Sequence, residues 1–292
     1  MIARLSPGSR VTICGSVTRD VVLRHGQTRR QIGGTVWFAG TTLAGLGLEV
    51  RVMTRLAAAD QVIADAFHRC HIETQLLPTA ATTTFHNIYG SGGIDDRRQR
   101  VETVAPPLPL GALEAALASA DLCYLGALHP GDLSVEALTF LQGRRAVAMA
   151  MDVQGFTRRI DGTQVRAQVA PELAGLLAAC CVVKASAFEA CLITGVSSPE
   201  EAARRLAEMT PDGEILVTSG GEGVLLALGQ TLQRLAAVRV EDPDPTGAGD
   251  IFLSSYLGKR LGGAEPMPAA EFAVAHTARR LSAADRIVRL AD

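Results

Sequence analysis

The 292-residue sequence predicts an α/β fold in which a mostly parallel sheet is covered by helices and carries a small flap of antiparallel strands. Apolar strand-like runs recur along the chain, each followed by a helix-like stretch, which is the rhythm of successive βα units. These runs are nearly continuous rather than alternating, so they suit strands buried on both faces. Two segments break the rhythm with short alternating stretches around glycine-containing turns, as antiparallel strands exposed on one side would.

In chain order, the strand-like runs are "VTICGSV" (11–17), "EVRVMTRL" (49–56), "ADLCYLGAL" (120–128), "AVAMAMDV" (146–153), "CCVVKAS" (180–186) and "EILVTSG" (214–220). Covering helices come from stretches such as "LGALEAALASA" and "SPEEAARRLAEM", the second with Ser198 as N-cap ahead of Pro199 and two glutamates. The segments that break the rhythm are 20–34 and 82–104, and strands inserted there would lie over the sheet end where open α/β folds bind ligands. A hairpin is expected after residue 214, with Gly229 and Gln230 near its turn. There is no internal repeat.

Charge narrows the function classes. With 28 Lys and Arg against 30 Asp and Glu, the net charge of −2 gives no global attraction to nucleic acid or to an acidic membrane, so a small-molecule partner is expected. The first residues lack the apolar run of a signal peptide, and no segment offers about 20 uninterrupted apolar residues for a membrane span, so the expected location is cytoplasmic. Six cysteines, mostly inside apolar runs and without paired spacing, read as reduced core residues. "HRCH" (68–71) contains metal-ligand types but no second ligand pair, and reads as the polar end of a helix.

The stretch "DPDPTGAGDIFLSSYL" (242–257) carries the most specific chemistry. Asp244-Pro245 forces extended backbone, Gly247 and Gly249 permit positive φ or close approach, and an apolar helix then begins. Its N-terminal amides and dipole favour an anion, so a phosphate can rest on Gly247, Ala248 and Gly249. Asp250, in the first helical turn, is either a complement to that dipole or a base for a hydroxyl attacking the phosphate. Spacing leaves both readings open. Neither a Walker A loop nor a GxGxxG after the first strand is present.

"DPTGAGD" (244–250) resembles the C-terminal signature of the PfkB (ribokinase-like) carbohydrate kinases, and the resemblance extends over nearly the whole chain. "GSVTRD" (15–20) resembles the family's first-strand motif, "GGTVWFAGTTLAGLG" (33–47) its first Gly-Gly signature, "EACLITG" (189–195) its metal-network segment and "VTSGGEG" (217–223) its nucleotide-binding loop. The resemblance implies a ribokinase-like three-layer α/β/α domain over 1–292, with lid strands from about 16–35 and 82–104. It also implies an ATP- and Mg²⁺-dependent kinase. Asp250 would be the catalytic base, and the amides of Gly247, Ala248 and Gly249 the anion hole. Asp20, Gly33 and Gly34 would hold the acceptor, Thr218, Gly220 and Gly223 would line the ATP site, and Glu189 would organise Mg²⁺ mainly through water. Lid strands in such a family can pair between subunits, so a homodimer is an expectation.

"TTTFHNIY", "RQRVETVAPPL", "MDVQGFTRRID" and "VKASAFEA" together resemble the myo-inositol kinases more than ribokinases or fructokinases. In that reading Asp152, Gln154 and Arg158 or Arg159 follow a sheet strand and would reach acceptor or phosphate, the alternative for the arginine being a surface salt bridge. Lys184 faces phosphate or is simply buried, and His276 borders adenine or is an ordinary helix histidine. The chain departs from the pattern at Phe38 and Ser186, where many relatives carry asparagine. Phe38 offers an aromatic face to the acceptor ring or packs in the lid or core. The expected activity is phosphorylation of a hydroxyl of a small polyol, cyclitol or sugar. The alternatives are a nucleoside or ketose kinase of the same family and a member that binds ligand without transfer.

Overall fold

The computed structural model describes residues 9–90, 97–143, 147–241, 243–283 and 287–290. Its main sheet has nine strands in the order β15-β14-β13-β12-β9-β8-β1-β4-β5. These are β1 (Arg10–Gly15), β4 (Glu49–Ala57), β5 (Glu73–Thr79), β8 (Leu122–Gly126), β9 (Ala148–Asp152), β12 (Val182–Ser186), β13 (Glu214–Thr218), β14 (Val224–Leu228) and β15 (Thr231–Leu235). The seven from β5 to β13 run parallel, and β14 and β15 add an antiparallel hairpin at one edge. Chain order moves outward from β1 through β4 to β5 and then resumes at β8 on its other side. This makes the β1/β8 boundary the topological switch point, where ligands enter such sheets.

Residues alternate between two apolar cores on opposite sheet faces, as the pleat requires. Val11 and Ile13 of β1 face α1 (Thr35–Gly45), α2 (Gln61–Arg69), α8 (Ala248–Leu261) and α9 (Pro266–Ser282), whereas Cys14 joins the core under α3 (Leu110–Leu117), α4 (Val135–Gly143), α5 (Leu173–Ala179) and α7 (Pro199–Met209). Local chemistry sets the helix ends. Ser198 caps α7 ahead of Pro199, and α6 (Ala187–Thr194) starts with a capping box between Ser186 and Glu189 and stops at left-handed Gly195. Four of the six free cysteines are buried. Among the described residues no helix is long and apolar enough to cross a membrane.

The flap is a six-stranded sheet in the order β10-β11-β7-β6-β2-β3. It comprises β2 (Thr18–Arg24), β3 (Gln27–Gly33), β6 (Thr84–Tyr89), β7 (Arg97–Thr103), β10 (Arg158–Asp161) and β11 (Gln164–Ala167). The expected lid segments supply its first four strands. The β10/β11 hairpin is an addition that the sequence reading lacked, although Asp161-Gly162 is a strong hairpin-turn dipeptide. One lid face is buried, through Thr18, Asp20 and Val22 of β2 and Phe85, Asn87 and Tyr89 of β6. The outer strand β3 is itself covered: Ile32 N donates to Val288 O at 2.9 Å, Leu290 N donates to Arg30 O at 3.0 Å, and Gln31 pairs with Arg289.

Candidate active site

A cleft opens at the switch point, between the carboxyl ends of β1 and β8, the buried lid face and the N-terminus of α8. Asp20, Gly34, Phe38, Gln154, Arg158, Gly247 and Asp250 line it, joined by Thr18, Phe85, Asn87, Gln99, Leu128 and Thr246, which the sequence reading did not single out. The signal for Phe85 and Asn87 was the alternation of "TTFHNIY", which places them on one face of β6. Gln99 reaches them across the sheet, donating to Asn87 Oδ1 at 2.7 Å.

Asp20 enters from β2, where Thr18 Oγ1 donates to its Oδ1 at 2.6 Å. A Cβ on Gly33 would lie 2.3 Å from that carboxylate, so glycine is required for Asp20 to lie over the backbone. Gly34, at φ +85°, turns the chain from β3 into α1 against Ser16 O, where no side chain fits.

Opposite them, α8 begins at left-handed Gly247 with no side-chain cap, and Asp244 Oδ1 accepts the Thr246 amide at 3.0 Å. The Ala248 amide turns back to Pro245 O at 3.0 Å. Ala248 therefore closes the turn. Of the expected anion-hole amides of Gly247, Ala248 and Gly249, that of Ala248 is thus bonded within the turn itself. Phe38 is buried in the core, and a Cβ on Gly247 would lie 2.4 Å from its ring, so it packs under the turn as well as lining the cleft.

Asp250 is 8% exposed, and its Oδ1 is buried without a hydrogen-bond partner. Burial and the neighbouring charge of Asp152 push its carboxyl up to about 7, against the opposing pull of Lys184, Thr35 and Arg158. Lys184 Nζ bonds Asp152 Oδ2 at 2.8 Å beneath α8, and a Cβ on Gly249 would lie 2.6 Å from that ammonium. Burial alone would push Lys184 down, but Asp152 and Glu189 hold it above its ordinary value, so it stays charged. The glycine at 249 thus lets a buried cation reach the helix end.

Glu189 accepts from Ser186 N and Ser186 Oγ, both at 2.8 Å and both on Oε2. Burial opposes its ionisation, but Lys184, Arg158 and Ser186 together keep it below the usual carboxylate range. Among the described residues no group of three or more His, Cys, Asp or Glu side chains could hold a metal ion. An expected Mg²⁺ would therefore draw its ligands mainly from water and donor phosphate oxygens, with Glu189 the carboxylate expected to meet its water shell.

The remaining expected residues lie outside this cleft. Thr218 ends β13 and donates to Ala185 O at 3.4 Å, with Gly220 and Gly223 in the following turn. Gly223 is dictated by backbone packing, since a Cβ there would meet Leu235 O at 2.0 Å. His276 accepts or donates at Nδ1 to Ser255 Oγ, 2.8 Å away, and stacks on Phe272, which ties α9 to α8. It does not line this cleft.

A sequence model described as pfkB family carbohydrate kinase matches residues 14–282. No curated protein matches the chain. Among solved structures, the sulfate complex of a pyrophosphate-dependent kinase in the ribokinase family is 23% identical, covering 93% of this chain and 95% of that one with a TM-score of 0.83. A pyrophosphate-dependent kinase of the ribokinase family complexed with a pyrophosphate analogue and myo-inositol is 22% identical, covering 93% and 94% with a TM-score of 0.82. Ribokinase from Thermotoga maritima is 16% identical, covering 98% and 96% with a TM-score of 0.74. The fold is therefore ribokinase-like.

Proposed function

The chain belongs to the pfkB family of carbohydrate kinases, and on that premise we propose that it transfers a phosphoryl group to one hydroxyl of a small cyclitol of the myo-inositol kind, or of a related polyol or sugar. The observation that carries this reading is Asp250, buried with an unpartnered Oδ1 and lining a cleft shared with Asp20 at the start of α8. Asp20, Asn87 and Gln99 supply the hydroxyl-binding groups, while Phe85 and Leu128 form an apolar wall for the ring's C–H face. Asp250 takes the proton from the hydroxyl as its oxygen attacks the terminal phosphorus in line. The α8 amides and the Lys184 ammonium stabilise charge on the transferring group, and the lid keeps out water that would otherwise accept it. Mg²⁺, when bound, neutralises donor phosphate charge, and Glu189 is the carboxylate available to its water shell.

ATP is the proposed donor, entering past Thr218, Gly220 and Gly223. A second reading is inorganic pyrophosphate, a donor without a nucleoside that must be held by charge, for which Lys184, beside Gly249 at the start of α8, is a cation at hand. It is also in keeping with the pyrophosphate dependence of two of the structural neighbours. The test is consumption of ATP and of pyrophosphate, each with Mg²⁺, across cyclitols, sugars, ketoses and nucleosides. Stimulation by a cyclitol is the expected result. Stimulation only by a nucleoside or ketose would move the chain to another branch, and no stimulation by any acceptor would make it a binding protein.

A further inference from the structure

The lid touches the phosphate side of the cleft as well as the acceptor side. On β3, Arg29 and Gln31 point to the same face, since Arg29 Nε donates to Gln31 Oε1 at 2.7 Å. Gln31 lies opposite Asp20, and Arg29 opposite Val22, in the β2/β3 register. From there the Arg29 guanidinium forms an ion pair with Asp244 Oδ2, the carboxylate whose other oxygen holds the Thr246 amide. A second lid strand reaches the same loop: Tyr89 Oη on β6 lies 3.3 Å from Thr246 Oγ1. Asp244 is only 11% exposed, so its ion pair with Arg29 lies largely out of solvent, next to the start of α8.

We propose that Arg29 is a positioning residue that latches the acceptor-binding face of the lid onto the Asp244–Gly247 turn, making phosphoryl transfer competent only with the lid seated. The latch rests on the reading of the α8 N-terminus as the phosphate site. A seated lid places Asp20 against the acceptor and, through Asp244, fixes the Thr246 amide that sets the Gly247 turn. With the lid displaced, the turn loses the Arg29 and Tyr89 contacts that restrain it. Acceptor and donor sites are thereby coupled through the Arg29–Asp244 ion pair, with Tyr89 as a weaker second contact.

The test compares wild type with Arg29→Met, Arg29→Lys and Tyr89→Phe by amide hydrogen exchange of the free protein and by steady-state kinetics. In Arg29→Met, exchange within residues 243–250 is expected to quicken about tenfold while β1, β8 and residues 253–261 keep their protection. In the same variant kcat falls about tenfold with the acceptor KM within about twofold, because the lost contact orients rather than binds. Arg29→Lys recovers most of both effects, and Tyr89→Phe shows a smaller change of the same kind. Unchanged exchange in 243–250, acceleration spread over the whole protein, or an unaltered kcat would each overturn the latch. If wild type itself transfers no phosphoryl group, the functional reading falls instead, and the exchange data still decide whether the lid holds the turn.

Discussion

Asp250 is held near neutrality by burial and Asp152, while Lys184, Thr35 and Arg158 pull it toward ionisation. As the proposed base, Asp250 would act only when deprotonated, so kcat should rise with pH through about 7 on its acid side. Replacing Asp250 by Asn should lower turnover about 10³-fold while donor affinity, read by calorimetry, changes little. The stability effect has the opposite sign. Because the folded-state value lies above that of the unfolded chain, the native state binds the extra proton, and stability is lost as pH rises from the ordinary aspartate range through about 7. Asp250→Asn should therefore raise Tm at pH 8 and leave it nearly unaltered at pH 4, as thermal unfolding at the two pH values would show. Lys184→Met removes a cation that lowers the Asp250 value, so the acid side of its pH profile should move to higher pH. A profile that stays in place would dissociate Lys184 from the base.

The lid shows how elements bring single residues together. Gly33→Ala drives a methyl into the Asp20 carboxylate, so the acceptor KM should rise about tenfold with little change in Tm, since the clash lies in the lid and not in either main core. Residues 287–290 cover the β3 edge, and exposed edges invite pairing with other chains. Removing residues 287–292 should increase self-association, measured by sedimentation, and loosen the strand that carries Arg29. The proposed pairing of subunits through lid strands cannot use the Arg30–Ile32 stretch while this segment is in place. The alternating stretches 20–34 and 82–104 were legible as lid strands because their pattern has period two. The β10/β11 hairpin was not, because "RRIDGTQVRA" lacks buried alternation and follows a main-sheet strand, leaving only the Asp-Gly turn as a signal. β5 was missed for a related reason: it is an edge strand of mostly half-exposed residues that contains Pro78.

Across the whole molecule, the six strand-like runs became main-sheet strands because buried parallel strands leave a continuous apolar signature. The same rhythm could not reveal which strands are neighbours, so the switch point at β1 and β8 emerged only from the sheet order. Site legibility divided along similar lines. "DPTGAGD" gave the helix end and the carboxylate proposed as base, whereas the closeness of Lys184 to Gly249, of Phe38 to Gly247 and of Arg29 to Asp244 depends on packing between distant segments. These contacts make the cleft a meeting place of main sheet, lid and α8, consistent with a reaction that joins two substrates. The most direct measurement is a phosphorus NMR time course with myo-inositol, Mg²⁺ and either ATP or pyrophosphate, run on wild type and Asp250→Asn. A phosphomonoester resonance should grow with wild type and be absent with the variant over the same period. Monoester formation at equal rates by both proteins would contradict the assignment of Asp250 as the base, and no monoester from wild type with either donor would contradict the cyclitol kinase reading.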